Sequence, residues 1–251
     1  MDATKPDYGN WISRKLVVVN AVLALLFVGL AFLVPACLLG TSVFLAATVY
    51  FAYARRAFSP RGGDVQGRIR QLVVDLVAWD GRGKALDIGC GNGPLVIELA
   101  RRFPASLVTG VDLWGGMWEF SQRVCEANAG VEGVAERVTF QQASAASLPF
   151  DDGAFDAVVS NLVFHEVRGV GDKALLIKEA LRVLKPGGCF VLQDLFHMRR
   201  VFGAPDQLLG RIREWGVARV EFVDTSRSPF IPAALRLPFM VGTLGIVHGV
   251  K

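Results

Sequence analysis

Residues 85–93 read ALDIGCGNG, and PLVIELARRF follows with helical spacing. A short apolar strand running into a glycine-rich turn at a helix N-terminus lets a backbone approach a ligand closely and offers it N–H groups. Pro94 suits a first helical position, with Asn92 or Gly93 as the cap. Pro94 also excludes the dinucleotide fingerprint, which needs a glycine there. The pattern is instead D-x-G-x-G-x-G, through Asp87, Gly89, Gly91 and Gly93. Nineteen residues after Gly93 the apolar stretch LVTGVD ends in Asp112, where an acidic side chain accepts hydrogen bonds from a ribose diol. The spacing therefore predicts a nucleoside ligand other than NAD.

Further side chains capable of chemistry gather after two later apolar stretches. Asn161, Leu162 and His165 follow DAVVS, and Asp194 and His197 follow CFVLQ. The carboxyl ends of parallel strands form the functional edge of such a sheet. His165 reads equally as a general base, a group shaping the pocket or a helix cap; Glu166 reads as a solvated or capping carboxylate and His248 as structural. Cys37, Cys90, Cys125 and Cys189 are far apart, with no histidine at zinc-ligand spacing, so neither a disulfide framework nor a metal site is expected.

Four blocks in order, ALDIGCGNG, VTGVD, SLPFDDGAFDAVVSNLVFHEV (147–167) and EALRVLKPGGCFVLQDL (179–195), carry a family resemblance. From about Val73 onward the chain resembles the class I S-adenosylmethionine-dependent methyltransferases of the ubiquinone/menaquinone-biosynthesis-like group. The resemblance implies S-adenosyl-L-methionine as cofactor. Asp87 and the turn Gly89, Cys90, Gly91, Asn92 and Gly93 would bind its methionine end, Asp112 its ribose, and Leu113 and Trp114 its adenine. Where the family often has Gly-Asp reaching the adenine, this chain has Ala143 and Ser144, so Ser144 or the backbone near Ala145 would substitute. Asn161 and Leu162 would lie beside the transferred methyl. His165 is the first candidate base, with Asp194 and His197 the second choice, while Cys90 should be replaceable.

The elements that must position these residues follow from periodicity. Strands are expected at 84–88, 107–112, 137–141, 155–160, 188–194, 219–224 and 240–248. Helices are expected near 65–79, 94–103, 116–129, 172–184 and 205–215. The alternation implies an α/β fold, a Rossmann-like doubly wound sheet of seven strands, the last two antiparallel as the resemblance implies.

Before this domain an uncharged run extends from Leu16 to Ala54. As one helix, at about 1.5 Å per residue, it would be about 58 Å long, nearly twice a hydrocarbon core of about 30 Å. AFLVPACLLG (31–40) interrupts it and could mark a hairpin turn, a lipoprotein cleavage site before Cys37, or a buried loop. Basic residues flank both ends of the run (Arg14, Lys15; Arg55, Arg56, Arg61), which places both flanks in the cytoplasm if it spans. With a cytosolic cofactor implied, a two-helix transmembrane hairpin, about 16–34 and 37–54, is the expectation. Residues 1–62 would then be anchor and linker, 63–251 the methyltransferase domain, and the site the cytoplasmic face of an inner or cytoplasmic membrane.

Lys and Arg total 27 against 23 Asp and Glu, and the basic residues are scattered, so nucleic acid is not an expected partner. A lipophilic or amphiphilic small-molecule acceptor is, with 195–205 and 230–240 as an apolar mouth and Phe196 and Phe202 among its residues. The competing reading is a membrane-anchored cofactor-binding scaffold or sensor without turnover.

Overall fold

The computed structural model describes residues 5–115 and 120–251. The described chain divides into two compact units, Asn10–Ile69 and Met1–Gly9 with Arg70–Lys251.

In the first unit, α1 (Arg14–Ala31) and α2 (Cys37–Phe58) are long and apolar enough to cross a bilayer, and few of their residues are buried. The break falls at Phe32–Ala36, earlier than Gly40, which lies inside α2. A Cβ at Gly40 would sit 2.3 Å from the Phe27 ring, so this glycine serves close helix packing. At the far end, the Arg55 guanidinium donates to the Ile12 carbonyl, and Trp11 packs at a tilt against Phe58 with ring centres 5.5 Å apart. Helix α3 (Val65–Asp75) runs on from this unit into the second.

The second unit is built on seven strands: β1 (Gly83–Ile88), β2 (Ser106–Asp112), β3 (Val138–Gln142), β4 (Phe155–Asn161), β5 (Leu184–Asp194), β6 (Arg219–Asp224) and β7 (Gly245–Val250). They lie in the order β3-β2-β1-β4-β5-β7-β6; β7 runs antiparallel to both of its neighbours and the other pairings are parallel. The order reverses between β1 and β4, the switch point at which ligands bind in open parallel sheets.

Helices α4 (Pro94–Arg102) and α5 (Gln122–Val131) cover one face with the later part of α3. Helices α6 (Ala174–Arg182) and α8 (Pro205–Glu214) cover the other, and the one-turn α7 (Arg199–Phe202) precedes α8. Both faces are buried, which is why the central strands read as near-continuous apolar runs.

Several boundaries differ from the sequence expectation. β5 begins at Leu184, because Leu184 pairs with Phe155 across a bulge before the ladder resumes at Cys189. β7 begins only at Gly245, because residues 240–244 are occupied by turns in which Gly242 packs on the Arg236 carbonyl. The helix expected from residue 116 starts, among the described residues, at Gln122, capped by Ser121; residues 116–119 lie outside them.

Candidate active site

Gly89, at the exit of β1, has φ +76°, and a Cβ there would meet Val163 at 2.1 Å. Only glycine fits this bend. The sequence expectation of free turn N–H groups needs correction. Gly89 and Cys90 both donate to the Val111 carbonyl, Gly93 donates to the Cys90 carbonyl, and Gly91 donates to Asp112 Oδ2 at 2.8 Å. The turn is thus clamped onto β2. A Cβ at Gly91 would rest on the Phe120 ring at 3.6 Å, an ordinary contact distance. Burial pushes the Cys90 thiol well up, as expected of an inert packing residue.

Asp87 is buried, and its Oδ2 has no partner. Burial, assisted by the nearby Asp112 charge and opposed by Arg70, raises its carboxyl to about 8. A buried acceptor left open beside a glycine turn suits a cationic donor such as the ammonium of a methionine moiety. Asp112, at the end of β2, accepts from Gly91 N and, through Oδ1, from Trp114 N at 3.0 Å. Each oxygen retains a lone pair for a diol. Trp114 folds back so that its indole N–H donates to the Gly91 carbonyl at 2.8 Å, while Leu113 is 56% exposed. Ser144 turns its hydroxyl to the Ala146 N–H, and Ala145 beside it is buried. Asn92 lies below the turn, where its Oδ1 accepts from Ser121 N.

Sequence reasoning missed the stretch before the hairpin. The Asp7 carbonyl accepts from both Asn92 Nδ2 and Asn128 Nδ2, at 3.1 and 3.0 Å, and Asp7 N donates to Asn128 Oδ1. Tyr8 packs against the core under α5 and donates to Glu132. No local pattern announces these contacts, because their partners lie far along the chain.

The exits of β4 and β5 meet next. Leu162 has φ +60°, a strained value for a branched side chain, and its N–H donates to the Gln193 carbonyl at 2.8 Å. The short 3-10 turn Phe164–Glu166 follows. His165 Nδ1 donates to Asp194 Oδ1 at 2.6 Å, and Asp194, 0% exposed, also accepts from the backbone N–H groups of Phe164 and Leu195, each at 2.7 Å. Burial alone would lower the His165 pKa. The Asp194 hydrogen bond and charge, with Glu166 adding and Lys173 opposing, outweigh it and raise the imidazole above its ordinary range. With Nδ1–H held by Asp194, Nε2 carries the lone pair, the arrangement of a carboxylate-oriented base.

His197 does not join this pair. Its Nε2 stands 3.3 Å from Asp224 Oδ1 without hydrogen-bond alignment, and its ring meets Phe222 edge-on. Phe196 and Phe202 are not mouth residues either. Both are buried in the core with ring centres 4.9 Å apart. The loop at 230–240 does expose apolar surface, Phe239 being 67% and Leu237 37% exposed.

Residues 86–192 match the methyltransferase domain model. The ubiquinone/menaquinone biosynthesis C-methyltransferase of Desulfotalea psychrophila is 30% identical over 211 residues, covering 73% of this chain and 80% of that one. The same-named enzyme of Geotalea daltonii is 33% identical over 126 residues, and the demethylmenaquinone methyltransferase of Thermus thermophilus is 37% identical over 127. These two matches cover 50% and 51% of this chain, and the chain spans only about half of each relative, 51% and 54%.

Among solved structures, geranyl diphosphate C-methyltransferase from Streptomyces coelicolor superposes with a TM-score of 0.59 at 17% identity, covering 76% of this chain and 81% of that one. The [4+2]-cyclase SpnF gives 0.58 at 23%, covering 76% and 83%. These likenesses establish the Rossmann-like fold. Together with the long match to the Desulfotalea sequence, the ordered motifs and the seven-stranded topology, they establish that the chain belongs to the class I S-adenosylmethionine-dependent methyltransferases, in the family of the ubiquinone/menaquinone biosynthesis C-methyltransferases.

Proposed function

We propose that the protein is a membrane-anchored methyltransferase acting on a lipophilic, hydroxylated aromatic ring, with methylation at the ring carbon beside a hydroxyl. The observation that carries this reading is the His165–Asp194 pair, with its 2.6 Å bond, one turn beyond the carboxyl end of β4. The relatives' names supply the ring and the carbon as methylation site.

Asp87, the Gly89–Gly93 turn and Asp112 would hold S-adenosylmethionine, which supplies an electrophilic methyl group when bound. The buried, unpartnered Asp87 oxygen fits that ligand. A phenolic carbon is a weak nucleophile until its hydroxyl loses a proton. His165 Nε2 takes that proton, Asp194 stabilises the imidazolium that results, and the aryloxide is then electron-rich at the neighbouring carbon; once that carbon carries the methyl, its hydrogen leaves as a proton and the oxygen regains one, so that one proton is released overall. Alignment of that carbon in a pocket shielded from water supplies several kcal/mol more.

α1 and α2 would hold the domain at the cytoplasmic face of the cytoplasmic membrane, with Phe32–Ala36 on the far side. The apolar length of both helices and the arginines at their outer ends support this. Such an anchor concentrates the enzyme where a lipophilic acceptor dissolves.

Transfer of labelled methyl from S-adenosylmethionine to a prenylated 1,4-dihydroxynaphthalene tests the reading, with the label located by NMR. Label on a ring carbon, arriving about 10²- to 10⁴-fold more slowly in His165→Ala, supports it. Cofactor binding without transfer to this ring or to any component of a total lipid extract overturns it in favour of a binding scaffold.

A further inference from the structure

Alternation along the strands carries a row of polar groups across one face of the sheet. Ala85 of β1, Ala157 and Val159 of β4, and Cys189 and Val191 of β5 all belong to the core beneath α3, α4 and α5. Two residues further along each strand, the same alternation brings Asp87, Asn161 and Gln193 to that face. Asn161 and Gln193 are register partners. Each of the three holds one buried oxygen without a partner: Asp87 Oδ2, Asn161 Oδ1 and Gln193 Oε1.

An unmade buried hydrogen bond costs about 1–3 kcal/mol. Three at one sheet edge make a surface that a ligand with donors completes. Asp87 of β1 and Asn161 of β4 lie on either side of the switch point, where the cofactor is expected. Gln193 lies beyond them on β5, roughly 10 Å from β1 at about 4.8 Å per strand. It is 1% exposed, and its Nε2 is fixed by the hydroxyl of Thr225, itself buried, at 3.3 Å.

The next residue, Asp194, points to the opposite face and holds His165. The end of β5 thus presents a hydrogen-bonding group on each side. Resting on the function proposed above, we infer that Gln193, positioned by Thr225, is a specificity residue. Its free amide oxygen accepts a hydrogen bond from a second hydroxyl of the acceptor, other than the one His165 deprotonates, so that the site selects a dihydroxylated ring.

The test uses the full chain in detergent micelles with S-adenosylhomocysteine present. Calorimetry compares a prenylated 1,4-dihydroxynaphthalene with each of its two monomethyl ethers. Wild-type protein should bind the diol about 5- to 100-fold more tightly than one of the ethers, the worth of one buried hydrogen bond. Gln193→Met, close in volume, should erase that preference and leave cofactor affinity and Tm unchanged or Tm raised, since it removes an unpaired buried amide. Gln193→Glu, which keeps an acceptor oxygen, should retain the preference.

A wild type that does not distinguish diol from ether, a Gln193→Met variant that still does, or a matching loss of cofactor affinity overturns the inference. A lowered Tm with unaltered discrimination also overturns it and makes Gln193 a purely internal partner of Thr225. Labelled methyl transfer by the same wild-type preparation separates the two readings. Transfer without diol preference sinks only this inference, and diol preference without transfer sinks only the proposed function.

Discussion

Asp194→Asn isolates what the buried carboxylate does for His165. The wild-type bond is 2.6 Å long and formed away from water. A hydrogen bond to a charged partner is worth about 1.5–3 kcal/mol, and at 1.36 kcal/mol per pKa unit its loss lowers the imidazole pKa by about one to two units. Burial, which opposes the charged form, remains. His165 should therefore titrate at a lower value in the variant than in the wild type, where Asp194 holds it above the ordinary imidazole range. The catalytic form is the neutral one, so kcat rises with pH through the imidazole pKa. The acid limb of the profile should move down by one unit or more in Asp194→Asn, and the plateau should fall by about 10²-fold because the ring is no longer held. Asparagine also turns an NH2 toward the Phe164 or the Leu195 N–H, so circular dichroism must establish that the variant is folded. His165→Ala should remove the limb and lower kcat by about 10²- to 10⁴-fold. Coincident acid limbs in wild type and Asp194→Asn would refute the dyad.

Other consequences are open to direct measurement. A His165 pKa raised by folding stabilises the native state fully below the unfolded value of about 6.5, and this is lost as pH rises through the folded value. The Tm deficit of His165→Ala should accordingly shrink with rising pH, and a pH-independent deficit would count against it. Asp87, near 8 without ligand, is mostly protonated at pH 7, so ammonium binding should release roughly one proton. Calorimetry in buffers of different ionisation enthalpy reads this directly, and zero release would mean that Asp87 does not meet the ammonium. Asp112→Ala should weaken S-adenosylmethionine binding by about 1.5–3 kcal/mol while the protein stays folded, and unchanged affinity would remove it as the ribose ligand. Phe196→Ala should cost about 3–5 kcal/mol of stability, whereas a selective loss of acceptor affinity at constant Tm would restore it to the mouth.

What was legible in the sequence was local. A strand, a glycine turn and a helix lie within a few residues of one another, so Asp87 through Pro94 and the β2 terminus at Asp112 could be read from spacing alone. The partner of His165 could not. Asp194 and His197 are neighbours in sequence, yet the parallel register of β4 on β5 brings Asp194 under the Phe164–Glu166 turn, and His197 turns toward Asp224. The mouth failed for a related reason. An apolar stretch with two arginines describes a membrane-facing loop and a loop whose phenylalanines plug a core equally well, and only the T-shaped pair of Phe196 and Phe202 distinguishes them. Gly40 suffered the same ambiguity, since a glycine can turn a chain or admit a neighbouring helix.

Fold alone does not select methyl transfer over cofactor binding, because a structural neighbour on this scaffold is the [4+2]-cyclase SpnF. The distribution of locally unfavourable features bears on the choice. Leu162 holds a left-handed backbone, Asp87 is buried with an open oxygen, and Asn161 and Gln193 each leave an oxygen unmatched; all four lie at the carboxyl ends of β1, β4 and β5. Apolar or glycine substitutions would relieve each of these costs. A scaffold that only retained the cofactor would need Asp87, the glycine turn and Asp112. It would have no use for a carboxylate buried under a histidine, nor for an unmatched amide one strand further on. On the function proposed above, those features would meet the acceptor beside the cofactor, and they argue for turnover where the glycine turn argues only for binding.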